Sequence, residues 1–299
     1  MAKRVLVTGA SGLFGRAIYK EFLSDNSWET LGLAFSRAKE SLKKLDITDE
    51  NQVKEVINTF RPSVIIHSAA ERKPDAVEND PDGTKKLNLS ATDYICQAAK
   101  SVGAWVLYIS TDYVFDGKSP PYDEDAKPNP LNKYGQSKLE GEKITLGASP
   151  ENSVLRVPIL YGDIEYIAES AVTILFEKIV KGSELIASDY EKRYPTHCDD
   201  IAYVIRQLAD RRLQDPEKVH GVFHWSSNEE MTKYDMSIAM TSAFSLSTEN
   251  IKADRTPSKG APRPYNTHLS CKKMEALVSG RQTPFSEGIK TVLQPYFNK

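Results

Sequence analysis

The sequence predicts an α/β protein: a doubly wound parallel sheet in its first half and a smaller lobe after about residue 160. Three observations predict it. Short apolar runs alternate with longer helical patterns from residue 5 to residue 160. Val64-Ile65-Ile66 is continuously apolar, as a strand covered on both faces should be. Gly9, Gly12 and Gly15 fall between the first apolar run and the first helical pattern.

Taken in order, residues 5–8, 30–35, 64–67, 105–111 and 154–160 read as buried strands, with a further strand expected to end at Asp46-Ile47. Helices are expected at about 14–24, 49–59, 81–102 and 131–147. Residues 1–160 then form a Rossmann-type dinucleotide-binding unit, and 161–299 a smaller C-terminal lobe without its own core, with the return of its strands to the main sheet left open. In that lobe 168–180 reads as helical and 193–197 as a short extended stretch. Residues 200–211 put Ile201, Val204, Ile205 and Leu208 on one helix face. A short strand at 222–225 and a helix at 232–244 follow. Residues 257–264 hold three prolines and a glycine and read as a loop. The last helix is expected at 284–293, with proline in its first turn.

Composition narrows the function. The 299 residues are 40% hydrophobic and 27% charged, with a net charge of −2. That gives no basic surface for nucleic acid. No apolar run of about 18 residues predicts a membrane span, and no signal-peptide pattern precedes the first strand. Cys96, Cys198 and Cys271 lack metal-type spacing and suit buried thiols in a reducing, cytoplasmic setting.

The glycines suit a pyrophosphate. A phosphate needs backbone N–H groups that approach without side chains, and a helix N-terminus adds a favourable dipole. An acidic residue at the end of the second strand would bind a ribose 2′-hydroxyl and repel a 2′-phosphate. The chain instead has Phe35-Ser36-Arg37. Arg37 can pair with a phosphate, which favours NADP, with NAD as the alternative. Asp46 and Ile47 are expected to meet the adenine amino edge and its face.

Tyr134 and Lys138 are four apart on a predicted helix and so share a face. A neighbouring ammonium favours the phenolate, so Lys138 is expected to lower the Tyr134 pKa and to hold ribose hydroxyls. Thr111, at a strand end, can hydrogen-bond a substrate carbonyl. The set moves a proton while a nicotinamide moves a hydride.

These motifs resemble the extended short-chain dehydrogenase/reductases. The resemblance rests on Val7-Thr8-Gly9-Ala10-Ser11-Gly12, His67-Ser68-Ala69-Ala70, Ser110-Thr111-Asp112-Tyr113, Tyr134-Gly135-Gln136-Ser137-Lys138 and Arg156 through Gly162. It points to the branch holding the dTDP-4-dehydrorhamnose reductases and the regulatory beta subunits of methionine adenosyltransferase. Glu71-Arg72-Lys73-Pro74-Asp75, Arg193-Tyr194-Pro195-Thr196-His197 and Phe223-His224-Trp225-Ser226 resemble the beta subunits.

The resemblance implies that Thr111, Tyr134 and Lys138 take the catalytic positions. It implies a cofactor set of Gly9, Ser11, Gly12, Leu13, Phe14 and Gly15 with Ser36, Arg37, Asp46 and Ile47. Ser68, Ala69 and Ala70 would line the cofactor, Asn88 would support the site from a helix, and Pro158 would lie beside the nicotinamide. No metal is implied. It implies a methionine adenosyltransferase catalytic subunit as partner, and leaves self-association into a homo-oligomer open. The leading reading is an NADP-binding regulatory subunit; the alternative is an NADPH-dependent reductase of a 4-keto nucleotide sugar. Two departures qualify these. The tryptophan that sugar reductases carry soon after the Arg156 position is absent, and the sequence ends soon after the last helix, where the beta subunits continue into a tail that grips their partner.

Other features have plainer readings. Asp112, Asp116, Asp123, Glu124 and Asp125 are expected to form a solvated acidic loop. His197 and His224 are expected to be structural and Trp225 to be core. Arg263-Pro264-Tyr265-Asn266 is placed either at the cleft or in solvent.

Overall fold

A computed structural model describes residues 3–39 and 41–297. The first strands and helices are β1 (Lys3–Thr8), α1 (Leu13–Leu23), β2 (Trp28–Ala34), β3 (Lys43–Lys44), α2 (Glu50–Phe60) and β4 (Val64–His67). Then come α3 (Pro74–Asn79), α4 (Pro81–Thr84), α5 (Ala91–Val102), β5 (Trp105–Thr111), α6 (Lys133–Ala148), β6 (Ser153–Val157) and β7 (Leu160–Tyr161). The remainder holds α7 (Ile174–Val180), β8 (Leu185–Ser188), β9 (Thr196–His197), α8 (Cys198–Gln214), β10 (Gly221–His224) and α9 (Lys233–Phe244), and ends with β11 (Ile251–Asp254), α10 (Lys272–Glu275) and α11 (Phe285–Phe297).

Seven strands form one parallel sheet in the order β10-β6-β5-β4-β1-β2-β3. The chain winds outward from β1 through β2 to β3, then returns to β4 and winds the other way. The reversal lies between β1 and β4, where Thr8 pairs with His67. Open α/β sheets bind ligands in the crevice at such a reversal, beyond the carboxyl ends of the strands.

The alternation along β1 builds two cores. Val5 and Val7 face one way, into a cluster with Ile18, Phe22, Leu155 and Ile205. Leu6 faces the other, with Val53, Ile57, Ile65, Ile95 and Val106. Each such side chain contributes roughly 1.5–3 kcal/mol on burial. Tyr161, Phe176, Met236, Phe285 and Leu293 from the second half belong to the same cluster as Val5, and β10 pairs with β6 in the main sheet.

Local chemistry sets several boundaries. Asp49 caps α2 by accepting from the N–H groups of Asn51 and Gln52. Asn132 caps α6 through the N–H of Gly135 at 2.8 Å. Gly103 ends α5 at φ +71°, a conformation that glycine adopts without a Cβ clash.

Elsewhere the structure departs from expectation. The strand expected to reach residue 160 stops at Val157, because Pro158 has no N–H to donate to the ladder. Asp46 and Ile47 lie beyond β3, which covers only two residues, rather than ending it. The 81–102 helix is α4 and α5 joined by a π-helical turn over Lys85–Ser90, and α3 precedes it. The 168–180 helix divides into a 3₁₀ turn at Ile167–Glu169 and α7, with Ser170 extended between them. In the extended stretch 193–197, Arg193 bridges Met231 and Thr196–His197 form a strand. The parallel pair β8–β11 was not anticipated, and α11 continues past Pro295.

Candidate functional site

A cavity of about 500 Å³ opens at the carboxyl edge of the sheet, over the β1–β4 reversal. One end is the glycine turn. Gly9 has φ +68°, and a Cβ there would come within 2.9 Å of the Ala69 backbone. A Cβ on Gly15 would collide with the Gly9 carbonyl. Packing alone therefore demands glycine at both positions. At Gly12 it demands less: a Cβ would sit 3.3 Å from the Gly9 carbonyl, and the backbone is extended at φ −80°. Gly12, Leu13, Phe14 and Gly15 line the cavity at the start of α1, where first-turn N–H groups have no intrahelical partner. The bare Gly12 surface beside those donors fits the pyrophosphate of a dinucleotide.

The wall beside the turn is fixed from behind by His67. Thr92 donates to the Asn88 carbonyl at 2.9 Å, so its oxygen receives the His67 Nε2–H at 3.0 Å. The network thus assigns His67 Nδ1 as acceptor, and the Thr8 hydroxyl donates to it at 2.8 Å. Thr8 Oγ1 in turn accepts from the N–H groups of Ser68 and Ala69 at 3.2 Å. Burial holds His67 neutral, its pKa lowered to about 3, with the Lys138 charge adding to the effect.

Tyr134 and Lys138 both line the cavity from α6, and Thr111 lines it from the end of β5. Lys138 Nζ stands 4.0 Å over the Tyr108 ring. Burial lowers its pKa to about 7, opposed by the Glu142 carboxylate one turn further along α6. Burial raises the Tyr134 phenol above its usual value, opposed by hydrogen bonding with Thr111. The expected depression of the phenol by Lys138 is therefore not found: burial is the largest influence on Tyr134, and the Asp112 carboxylate adds to it.

Of the residues assigned to the site from sequence, Gly9, Ser11, Gly12, Leu13, Phe14, Gly15, Ser36, Arg37, Asp46, Ile47, Ser68, Ala69, Ala70, Thr111, Tyr134, Lys138 and Pro158 all line this one cavity. Asn88 does not. It is buried in the π-helical turn, accepts from the Glu71 N–H at 2.8 Å and donates to Ser137 Oγ at 3.2 Å. It ties a cavity loop to α6 rather than facing a ligand.

At the opposite end of the cavity the sequence offered only Arg263, either at the cleft or in solvent, and the structure places it at the cleft. Glu191, Arg193, Lys233, Ser258 and Arg263 line that end. Arg193 donates to the carbonyls of Lys192 and Pro264 at 2.7 and 3.0 Å. Burial lowers the Lys233 pKa, and the Arg263 and Arg193 charges add to the effect. Three cations facing one space suit an anion. Arg193 lay within a stretch quoted for family likeness, so that residue was visible but its convergence with Lys233 and Arg263 was not.

The acidic stretch needs correction at two residues: Glu124 is half-buried, and burial raises its pKa. Asp112 is buried, not solvated; it accepts from Thr111 Oγ1 at 3.1 Å and from the Thr267 hydroxyl. Burial raises its pKa despite those bonds. His197 caps α8, accepting from the Asp199 N–H at 3.2 Å. Trp225 is core and packs against Gly280, where a Cβ would strike its ring. The three cysteines are buried free thiols. Among the described residues no group of three or more His, Cys, Asp or Glu side chains could hold a metal ion, and no helix is long and apolar enough to cross a membrane.

The parallel sheet, its reversal and the glycine turn define a Rossmann-like fold of the short-chain dehydrogenase/reductase type. The chain belongs to the RmlD substrate-binding-domain family, whose model matches residues 3–298. It is 49% identical over 296 residues to methionine adenosyltransferase 2 subunit beta of Xenopus tropicalis, covering 98% of this chain and 88% of that one. It is 34% identical over 239 residues to dTDP-4-dehydrorhamnose reductase of Aggregatibacter actinomycetemcomitans, covering 79% of this chain and 78% of that one. Among solved structures, the dTDP-4-dehydrorhamnose reductase of Bacillus anthracis in complex with NADP superposes with a TM-score of 0.84 at 28% identity, covering 99% of each chain.

Proposed function

We propose that this chain is an NADP-binding regulatory subunit that associates with a methionine adenosyltransferase catalytic subunit and modulates S-adenosylmethionine synthesis in the cytoplasm. One observation carries it. Likeness to a beta subunit extends over 98% of the chain at 49% identity, against 34% over 79% for a reductase. The cavity supports the cofactor part: a side-chain-free turn at a helix start suits a pyrophosphate, and Arg37 beyond β2 suits a 2′-phosphate. Co-purification with the cognate catalytic subunit in the presence of NADP is the test. No association under those conditions overturns the proposal.

The second reading is reduction of a 4-keto nucleotide sugar, and the convergence of Arg193, Lys233 and Arg263 favours it, since such a substrate is anionic. NADPH would supply the hydride. Tyr134 would donate its proton to the carbonyl oxygen, a task for which a raised pKa keeps the phenol protonated. Thr111 would orient that oxygen, and Lys138 would hold ribose hydroxyls. NADPH oxidation with dTDP-4-dehydrorhamnose is the assay; no turnover at saturating substrate removes this reading.

A further inference from the structure

The segment between β7 and α7 reaches across to the end of the cavity where Ser36, Arg37 and Asp46 lie. Glu169 is buried there. Its carboxylate accepts from Arg16 at 2.7 and 2.9 Å and from Arg37 Nη1 at 2.8 Å. Glu165 accepts from the same Arg37 nitrogen at 2.9 Å, and from Lys39. The Glu165 N–H donates to Glu169 Oε2 at 2.9 Å, so the two carboxylates are held side by side. Arg16 also donates to the Ser11 carbonyl at 2.8 Å, which ties the cluster to the glycine turn.

Arg37 is the side chain assigned to a 2′-phosphate. Its charge is already opposed by two carboxylates that lie 128 and 132 residues away in sequence. The two are not equivalent. Glu169 is committed: burial works to raise its pKa, but the bonds from Arg16, the Glu165 N–H and Arg37 outweigh burial and lower it to about 2. Glu165 is about a quarter exposed and is reached by the solvated Lys39, so it can turn to water without leaving a buried charge unpaired.

We propose that Glu165 sets the preference between 2′-phosphorylated and unphosphorylated dinucleotides, by competing with the 2′-phosphate for the Arg37 guanidinium. A phosphate arriving at Arg37 displaces Glu165 and leaves Glu169 in place. An unphosphorylated ribose makes no such exchange. The inference rests on the dinucleotide reading given under Proposed function.

Calorimetric titration of NADP and NAD into the wild type, Glu165→Gln, Arg37→Gln and the double variant tests it. Glu165→Gln raises affinity for NADP relative to NAD at least about threefold, the scale of a partly exposed ion pair. That gain vanishes when Arg37→Gln is also present. An unchanged or lower NADP/NAD ratio in Glu165→Gln overturns the inference, as does a gain that persists without Arg37. Wild-type protein that gives no heat with either dinucleotide overturns the cofactor reading itself; heat with both and an unchanged ratio overturns only the role of Glu165.

Discussion

Arg156 Nη2 lies 2.7 Å from Glu142 Oε2, and each side chain is only 4% exposed. A second bond joins Arg156 Nε to Oε1 at 2.9 Å, and Ser110 donates to that same oxygen at 2.6 Å. The pair locks α6, which carries Tyr134 and Lys138, to β5 and β6 beneath the cavity. Glu142→Gln leaves a buried guanidinium without its counter-charge and is expected to cost about 3–5 kcal/mol of stability. Urea unfolding measures it. A loss below 1 kcal/mol would mean that water reaches the pair.

Two glycines of the turn should separate in their effects. Gly15→Ala forces a methyl into the Gly9 carbonyl and is expected to destabilise the fold by about 1–3 kcal/mol, read as a lower melting temperature. Gly12→Ala meets only a tight contact and should melt near the wild type. It should nonetheless weaken NADP binding about tenfold or more, since the methyl stands where a phosphate would approach. Equal loss of stability in both variants would mean that packing alone fixes Gly12.

Stability should fall between pH 7 and pH 5, above the range where carboxylates titrate. His67 and His224 are buried, and burial lowers both to about 3 from 6.5. Below pH 6.5 the unfolded chain takes up protons at these sites and the folded chain does not. Folding therefore weakens as pH falls from 6.5 towards 3, by about 2 kcal/mol per histidine at pH 5. Protonating Nδ1 of His67 would also break the Thr8 bond that supports Ser68 and Ala69. Urea midpoints at pH 7 and 5, with His224→Gln showing the smaller change, are the check; a flat profile would contradict the buried neutral histidines.

Tyr134→Phe removes a hydroxyl that faces the cavity rather than the exterior. Capture of a methionine adenosyltransferase catalytic subunit is expected to be unchanged. Any NADPH oxidation that the wild type supports is expected to fall by at least about 100-fold, the scale of a lost general acid. Pull-down and stopped-flow absorbance measure the two separately, and loss of capture would place the cavity inside the partner interface.

Much of the site was legible because its signals are local. Tyr134 and Lys138 share a helix face through four-residue spacing, and the glycine turn follows from three residues between a strand and a helix. Asn88 was legible as a supporting residue but not as one turned away from the cavity, since its side chain follows from a π-helical turn that spacing does not reveal. Asp112 reads as one more loop acid until Thr267, 155 residues on, covers it. β8 and β11 escaped notice because each covers four residues and they pair across 66 positions of register.

The sequence by itself determined the parallel sheet, the glycine turn and the phenol–amine pair, because periodicity and backbone conformation act over a few residues. The tertiary structure alone decided which charges meet. Glu165 and Glu169 on Arg37, the three cations at the far end of the cavity, and the lowered pKa of Lys138 depend on distance and dielectric, and both are set only when remote segments exclude water together.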